Sequence, residues 1–363
     1  MANFHQVALT FVPGIGPITA RALIEHFTDA DSIFQAGKRE LSAVEGMKSK
    51  TINAILEKKG FDLAEKEMVF MEQLNVSSYF YTDENYPARL RHCYDAPSLL
   101  YFKGAAELNK KKVISVVGTR NATAYGKELC NELVSGLRSQ DILVVSGLAY
   151  GIDIMAHKAC LKEEIPTIAA LGHGLDRIYP AVHTGIAEKM IAKGGLISEF
   201  PSGTIPDREN FPRRNRIIAG MADATIVVEA SFKGGALITA EIANSYNRDV
   251  FAFPGRTDDE FSVGCNYLIK TNRAHMISNI NDLEYILGWT KNLKKEAKQI
   301  SLQLNLSADE KKVTDLLEKK DLVPIDDLLL STGIPQSKLA MTILGLEMQG
   351  IIVALPGKMY KLA

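Results

Sequence analysis

The chain has 363 residues, 46% hydrophobic and 23% charged, with a formal net charge of −1. That length holds two or three globular domains with ordinary cores. The balanced charge excludes a global basic field, so any affinity for a polyanion must come from a local patch. The opening MANFHQVALTF has no basic leader, and no apolar run approaches the length of a membrane span. Cys93, Cys130, Cys160 and Cys265 form no CxxC and no Cys/His cluster, which predicts a reducing cytoplasmic setting and no structural metal.

Residues 1–70 read as short helices separated by glycine turns. VPGIGPITARALIEHF (12–27) and VEGMKSKTINAILEKKG (44–60) each set a glycine hairpin before an amphipathic helix, as Ala20, Leu23, Ile24 and Phe27 show in the first. The pair resembles a tandem helix-hairpin-helix module, in which hairpin N–H groups at a helix start can hold a DNA phosphate. A small helical domain would also use such glycines simply to turn. The second hairpin, EGM, is degenerate, and the segment has eight Lys/Arg against nine Asp/Glu.

The next domain is drawn over 71–290, and from about 110 short β-branched runs alternate with helical patterns. The predicted strands are KVISVVG (112–118), ILVVSG (142–147), PTIAALG (166–172), LISEF (196–200), ATIVVEA (224–230) and DVFAFPG (249–255). Near-continuous apolar strands with intervening helices predict a mostly parallel sheet covered on both faces, an α/β Rossmann-like doubly wound domain. Residues 291–300 (KNLKKEAKQI) form a basic linker. Residues 301–363 follow the helix–helix–turn–helix–hairpin order of a winged helix. The presumed recognition helix carries only Lys338 to neutralise phosphate, and the segment has seven lysines against eight acids. Protein contact is therefore favoured over DNA reading for this domain.

In an open parallel sheet, ligands bind beyond the carboxyl ends of the strands. The turns there are Gly118-Thr119-Arg120, Ser146-Gly147, Gly172-His173-Gly174, Pro201-Ser202-Gly203, Ser231-Phe232-Lys233-Gly234-Gly235 and Pro254-Gly255-Arg256. ENFPRRNRIIAG (209–220) predicts a helix start, with Arg213, Arg214 and Arg216, and Asn215 among them, in its first turn and Ile217, Ile218 and Met221 as its buried stripe. Cations in a first turn oppose the helix dipole by about 0.3–1 kcal/mol each. That cost is readily accepted where an anion binds, so the arginines, with Arg120 and Lys233, are expected to form a phosphate-binding wall.

GTRNAT departs from GxGxxG, and Gly126-Lys127 lies inside a helix pattern rather than a Walker loop, which disfavours NAD and ATP. No cofactor is expected. His157, His173, Glu199, Asp223 and Glu241 show no spacing that supports a catalytic arrangement. Single-stranded nucleic acid suits a local cationic groove with small residues and aromatic platforms such as Phe211, Phe232 or Tyr150.

VVGTRNATAYG (116–126), VVSGLAYGIDIMAHKACL (144–161), ALGHGLDRIYPAVH (170–183), LISEFPSGT (196–204), FPRRNRIIAGMADATIVVEA (211–230), GGALITAEIA (234–243) and GCNYLIKTNRA (264–274) resemble the DNA-processing protein A (DprA/Smf) family. The resemblance covers the central domain in order. It implies a non-enzymatic single-stranded-DNA-binding protein of natural transformation that protects incoming DNA, helps load RecA recombinase and forms homodimers through the Rossmann-like domain. Carried over by motif, it places the DNA pocket at Gly118, Thr119, Arg120, Ser146, Gly147 and Arg213 to Arg216. Lys233, Gly234 and Gly235 are added from position. GGALITAE (234–241) also faintly resembles the PGGxGTxxE signature of lysine-decarboxylase-like nucleotide N-glycoside hydrolases. It lacks the proline and third glycine, and its Thr239-to-Glu241 spacing is one residue short.

Overall fold

The computed structural model describes residues 2–289, 306–320, 322–355 and 359–363. The basic linker 291–300 and the turn at Pro356-Gly357 lie outside the described residues. The chain divides into two compact units, Met1–Thr290 and Lys291–Ala363. No described helix is long and apolar enough to cross a membrane.

The first unit is built on a nine-stranded sheet: β1 (Ser77–Phe80), β2 (Leu99–Gly104), β3 (Lys112–Val117), β4 (Ile142–Ser146), β5 (Thr167–Leu171), β6 (Gly195–Ser198), β7 (Ala224–Val227), β8 (Asp249–Ala252) and β9 (His275–Met276). Their order is β1-β2-β6-β5-β4-β3-β7-β8-β9. All pairings are parallel except β1 with β2 and β2 with β6. From β3 the chain steps outward through β4, β5 and β6, then returns to place β7 on the other side of β3. The carboxyl ends of β3 and β7 are therefore the topological switch point, where the two following connections diverge and leave a crevice.

Strand periodicity divides the core between the two faces. Val113 and Val117 of β3 pack with Ile217, Ile218 and Met221, from the Asn210–Met221 helix, on one face. Ile114 and Val116 pack on the other face with Leu129, Leu133 and Ile152, from the Ala124–Gly136 and Ile152–Lys162 helices. A third cluster joins the amino-terminal helices to the sheet, with Leu9, Leu23 and Ile33 in one apolar body with Phe80, Tyr101 and Leu196.

The second unit is a winged helix. Its helices Ala308–Lys319, Ile325–Thr332 and Gln336–Met348 pack on an antiparallel sheet of Val323–Pro324, Met359–Leu362 and Ile352–Leu355. Val313, Leu328, Leu339, Ile343 and Leu346 form its core. Lys338, the one cation of the presumed recognition helix, sits 2.5 Å from Asp309. Its charge is already matched within the unit.

Candidate nucleic-acid interface

A cavity of about 490 Å³ opens at the switch point, at the carboxyl ends of β3 and β7. Its floor is the turn after β3, held rigidly from both sides. The Thr119 amide donates to the Glu229 carbonyl at 2.7 Å, and the Thr119 carbonyl accepts from the Ile152 amide at 3.1 Å. Gly151, at φ +77°, lets this happen, because a Cβ there would collide with the Thr119 carbonyl. Gly118 is equally constrained, since a Cβ would run into the Ile152 side chain.

The Glu229 carboxylate is buried behind this loop and accepts from the Thr123 amide at 3.0 Å and the Thr123 hydroxyl at 2.5 Å. Thr123 also caps the Ala124–Gly136 helix. One residue thus anchors both the helix start and the turn that carries Arg120.

Arg120, Arg208 and Arg214 line the cavity, facing Asp153 and Glu260. Arg120 is exposed, and its guanidinium lies 5.7 Å over the Phe211 ring. Arg214 is buried and donates to the Ala170 carbonyl at 3.0 Å, while its Nε has no partner among the described residues. Burial pulls the Arg214 guanidinium below its ordinary range, and nearby Asp153 opposes that pull. Burial also raises Asp153, with Arg214 acting against it. An arginine remains charged under any such shift, so the cavity floor holds a cation with an unused donor.

Opposite, Gly234 begins the Gly235–Ser245 helix with no side-chain cap, and Gly234, Gly235 and Ala236 all line the cavity. The first amide N–H groups of a helix lack internal partners and carry the positive end of its dipole. An adjoining cavity of about 60 Å³ shares Arg120, Phe211 and Arg214 and adds Tyr150, Tyr179 and His173. Burial holds His173 below its ordinary pKa, and its Nε2 has no partner among the described residues.

The structure brings Gly118, Thr119, Arg120, Arg214, Asn215, Gly234 and Gly235 to one cavity. It does not bring Ser146, Gly147, Arg213, Arg216 or Lys233 there. Ser146 is fully buried and donates to the Val116 carbonyl at 2.6 Å across the sheet. Gly147 lies beneath the site, where a Cβ would collide with Arg214 and Asp153. Lys233 is exposed and does not reach the cavity.

The arginine cluster requires a correction. The helix starts at Asn210, because Asp207 already turns the chain by accepting the Glu209 and Asn210 amides. The three arginines therefore fall beyond the first turn, and the expected dipole cost does not apply to them. At 100° per residue they also diverge. Arg213 and Arg216, three apart, share a face and converge on Glu199, while Arg214 points to the cavity. Arg208, absent from the sequence expectation, supplies the missing charge. In sequence it directly precedes Glu209, at the amino-terminal edge of ENFPRRNRIIAG.

Glu241 lies outside the cavity, paired with Arg273 on the surface. Asp223 is held by Arg89 at 2.6 Å and accepts the Val113 amide at 2.9 Å. His157 is buried between Thr167 and the Gly147 carbonyl.

Residues 77–287 match the family model for DNA recombination-mediator protein A. Residues 298–358 match the DprA winged helix domain, and 7–58 match a SAM-like helix-hairpin-helix tandem. Protein Smf of Synechocystis sp. is 38% identical over 299 residues, covering 79% of this chain and 74% of that protein. DNA processing protein DprA of Streptococcus pneumoniae is 41% identical over 206 residues, 57% of this chain and 72% of that one. The X-ray structure of Streptococcus pneumoniae DprA superposes with TM-score 0.69 at 31% identity, covering 78% of this chain and 98% of that chain. A structure of DNA processing protein A from Helicobacter pylori, concerned with that protein's single-stranded-DNA binding mode, gives TM-score 0.54 at 28% identity over 59% of this chain and 96% of that chain.

Proposed function

Because this chain belongs to the DprA/Smf family of DNA-processing proteins, we propose that it binds single-stranded DNA in natural transformation, protects the incoming strand and helps load RecA recombinase onto it. The observation that carries the reading is the crevice cavity. Arg120, Arg208 and the buried Arg214 face the uncapped start of the Gly235–Ser245 helix across a space sized for a few phosphates. Charge-assisted contacts to arginine and to helix-start amides are the strong way to hold phosphate. The adjoining aromatic cavity offers Tyr150, Tyr179 and Phe211 as surfaces for bases. A duplex would have to bring its second strand against the loops that flank the crevice.

The pocket proposed for the strand is therefore Gly118, Thr119, Arg120, Arg208, Arg214, Asn215, Gly234 and Gly235. The position of Glu241 favours binding over N-glycoside hydrolysis, because the cavity then lacks the carboxylate that such a reaction would draw from this motif. The protein is proposed to act as a homodimer through the Rossmann-like domain, so that two pockets on one strand raise affinity through effective concentration.

Fluorescence anisotropy with labelled oligo-dT and with duplex of equal length, across a salt series, tests the site. Wild type should prefer the single strand, with a salt slope near −2 per pocket for about three phosphates at roughly 0.7 each. Arg120→Ala combined with Arg208→Ala should abolish that preference. Full retention of binding by the double variant would sink the assignment. RecA loading is read separately, as stimulation of RecA-catalysed strand invasion by DNA precoated with single-strand-binding protein.

A further inference from the structure

Of the crevice arginines, Arg208 sits on the connection from β6 to the Asn210–Met221 helix. It is exposed, so the backbone beneath it sets where its guanidinium can reach. That connection is fastened at its start from two directions. The Ser202 amide donates to both oxygens of Glu67, at 3.0 and 3.1 Å, and the Ser202 hydroxyl donates to Oε2 at 2.6 Å. The next amide, of Gly203, donates to Asp176 at 3.1 Å, and the Thr204 carbonyl accepts from the Gly174 amide at 3.1 Å. Beyond Thr204 only Ile205 and Pro206 intervene before Asp207 opens the helix turn, and the proline ring fixes one of their backbone angles. The Asn210 side-chain amide closes back on the Ile205 carbonyl at 3.4 Å. A hold on Ser202 is thereby carried to Arg208 with little slack.

Glu67 comes from a distant part of the chain. It lies on the Phe61–Leu74 helix, whose Ala64 and Met71 are buried in the cluster that joins the amino-terminal helices to the sheet. Glu67 is only 3% exposed. Burial raises its pKa, the Ser202 hydrogen bonds oppose the rise, and nearby Asp176 adds to it, with no cation among the described residues to offset it. An acid buried without a cation is a costly way to fill a packing position, and a well-packed apolar side chain would stabilise the interface more. Among the described residues, all the hydrogen bonds of its carboxylate come from Ser202. The acid acts on one residue, and that residue starts the loop that carries Arg208.

We propose that Glu67 is a positioning residue for the bound strand: through Ser202 it holds the 201–208 loop so that Arg208 stands in the crevice. The amino-terminal helical region then contributes to binding by a route other than its hairpins. This rests on the single-strand reading above.

The test uses Glu67→Gln and Ser202→Ala in the full chain, each alone and each combined with Arg208→Ala. Glutamine keeps the shape and one acceptor oxygen, and alanine at position 202 takes only the hydroxyl. In DNA-free protein, hydrogen exchange over residues 201–209 should be faster in both single variants, with the central strands unchanged. Arg208→Ala should bind oligo-dT roughly tenfold more weakly, with a salt slope shallower by about 0.7. Glu67→Gln should lose roughly fivefold and Ser202→Ala roughly threefold, both with shallower slopes. Added to Arg208→Ala, neither should cost anything further, because the group they position is gone. A residue that only stabilised the fold would lower the melting temperature and leave the slope as in wild type.

A wild-type slope in both variants overturns the proposal. A full additional loss in the Arg208→Ala background overturns it too, because Glu67 would then act elsewhere. Unchanged exchange over 201–209 removes the fastening of the loop, whatever the binding shows. If wild type binds no oligo-dT while the variants still exchange faster, the single-strand reading falls and the fastening stands.

Discussion

Gly147 and Gly235 look alike in sequence, each small and each beside the switch point, yet they serve different ends. A methyl at position 147 would occupy the space of the Arg214 guanidinium and the Asp153 carboxylate. Gly147→Ala must therefore displace a buried cation from its contact with the Ala170 carbonyl, an overpacking that costs about 3 kcal/mol. It should lower both the melting temperature and the affinity for oligo-dT. At Gly235 a methyl meets nothing within 4 Å, and alanine favours a helix by about 0.5–1 kcal/mol over glycine. Gly235→Ala should keep or raise the melting temperature while weakening oligo-dT, because its methyl enters the approach to the helix-start amides. Paired melts and anisotropy titrations check both, and parallel losses in the two variants would refute the distinction.

His157 offers a second test at this scale. Its Nε2–H donates to the Gly147 carbonyl at 2.5 Å, so Nδ1 accepts from the Thr167 hydroxyl at 2.7 Å, and burial lowers its pKa from 6.5 to about 4. Between those values the unfolded chain takes a proton that the folded one refuses. This contribution to stability is thus complete above pH 6.5 and is lost as pH falls towards 4, on the order of 3 kcal/mol in all. Glu67, Asp153 and Glu199, which burial raises, act in the opposite sense at acid pH. The difference between wild type and His157→Gln in urea midpoint, measured from pH 4 to 7, isolates the histidine. A constant difference would remove it as the cause.

At the scale of elements, legibility followed how local the determining contacts are. The six strands β3 to β8 were readable because each is a short β-branched run set off by a helix. β1 and β2 were not, because β2 owes its place to antiparallel pairing with β6 across nearly a hundred residues and β1 to antiparallel pairing with β2, contacts that leave no period in the sequence. β9 is two residues long, and the winged helix gains a third strand of the same length. The arginine cluster shows the same limit at closer range. Adjacency predicted a shared wall, but helical phase sent Arg213 and Arg216 to Glu199 and left Arg214 alone at the cavity. The cap that sets the crevice loop can be tested directly. Thr123→Ala removes the helix cap, worth about 1 kcal/mol, and also takes the hydroxyl donor from the buried Glu229 while leaving the backbone amide in place, worth about 1–3 kcal/mol more. Thr123→Ser keeps the hydroxyl. The alanine variant should melt lower and bind oligo-dT more weakly, and the serine variant should match wild type in both. If serine falls with alanine, the methyl packing rather than the hydrogen bonds sets the loop.

Across the whole molecule, the two units have separate cores of unequal size. The first unit contains three apolar clusters, whereas the second rests on one small cluster around Val313, Leu328 and Leu346. Domains of such small size bury a lower fraction of their surface and are marginal. The sole tryptophan, Trp289, belongs to the first unit, packed against the cluster that holds Ile114 and Phe251, with the Lys112 ammonium 5.0 Å over its ring. Tryptophan fluorescence therefore reports unfolding of the first unit, while far-UV circular dichroism reports helices of both. In a urea titration, circular dichroism should show an early loss at low denaturant without a fluorescence change, followed by a transition common to both probes. Oligo-dT present throughout should raise the midpoint of the later transition only, since binding to the folded state stabilises the unit that holds the site. Coincident single transitions, or an early transition that moves with oligo-dT, would mean that the winged helix shares in the binding unit rather than folding beside it.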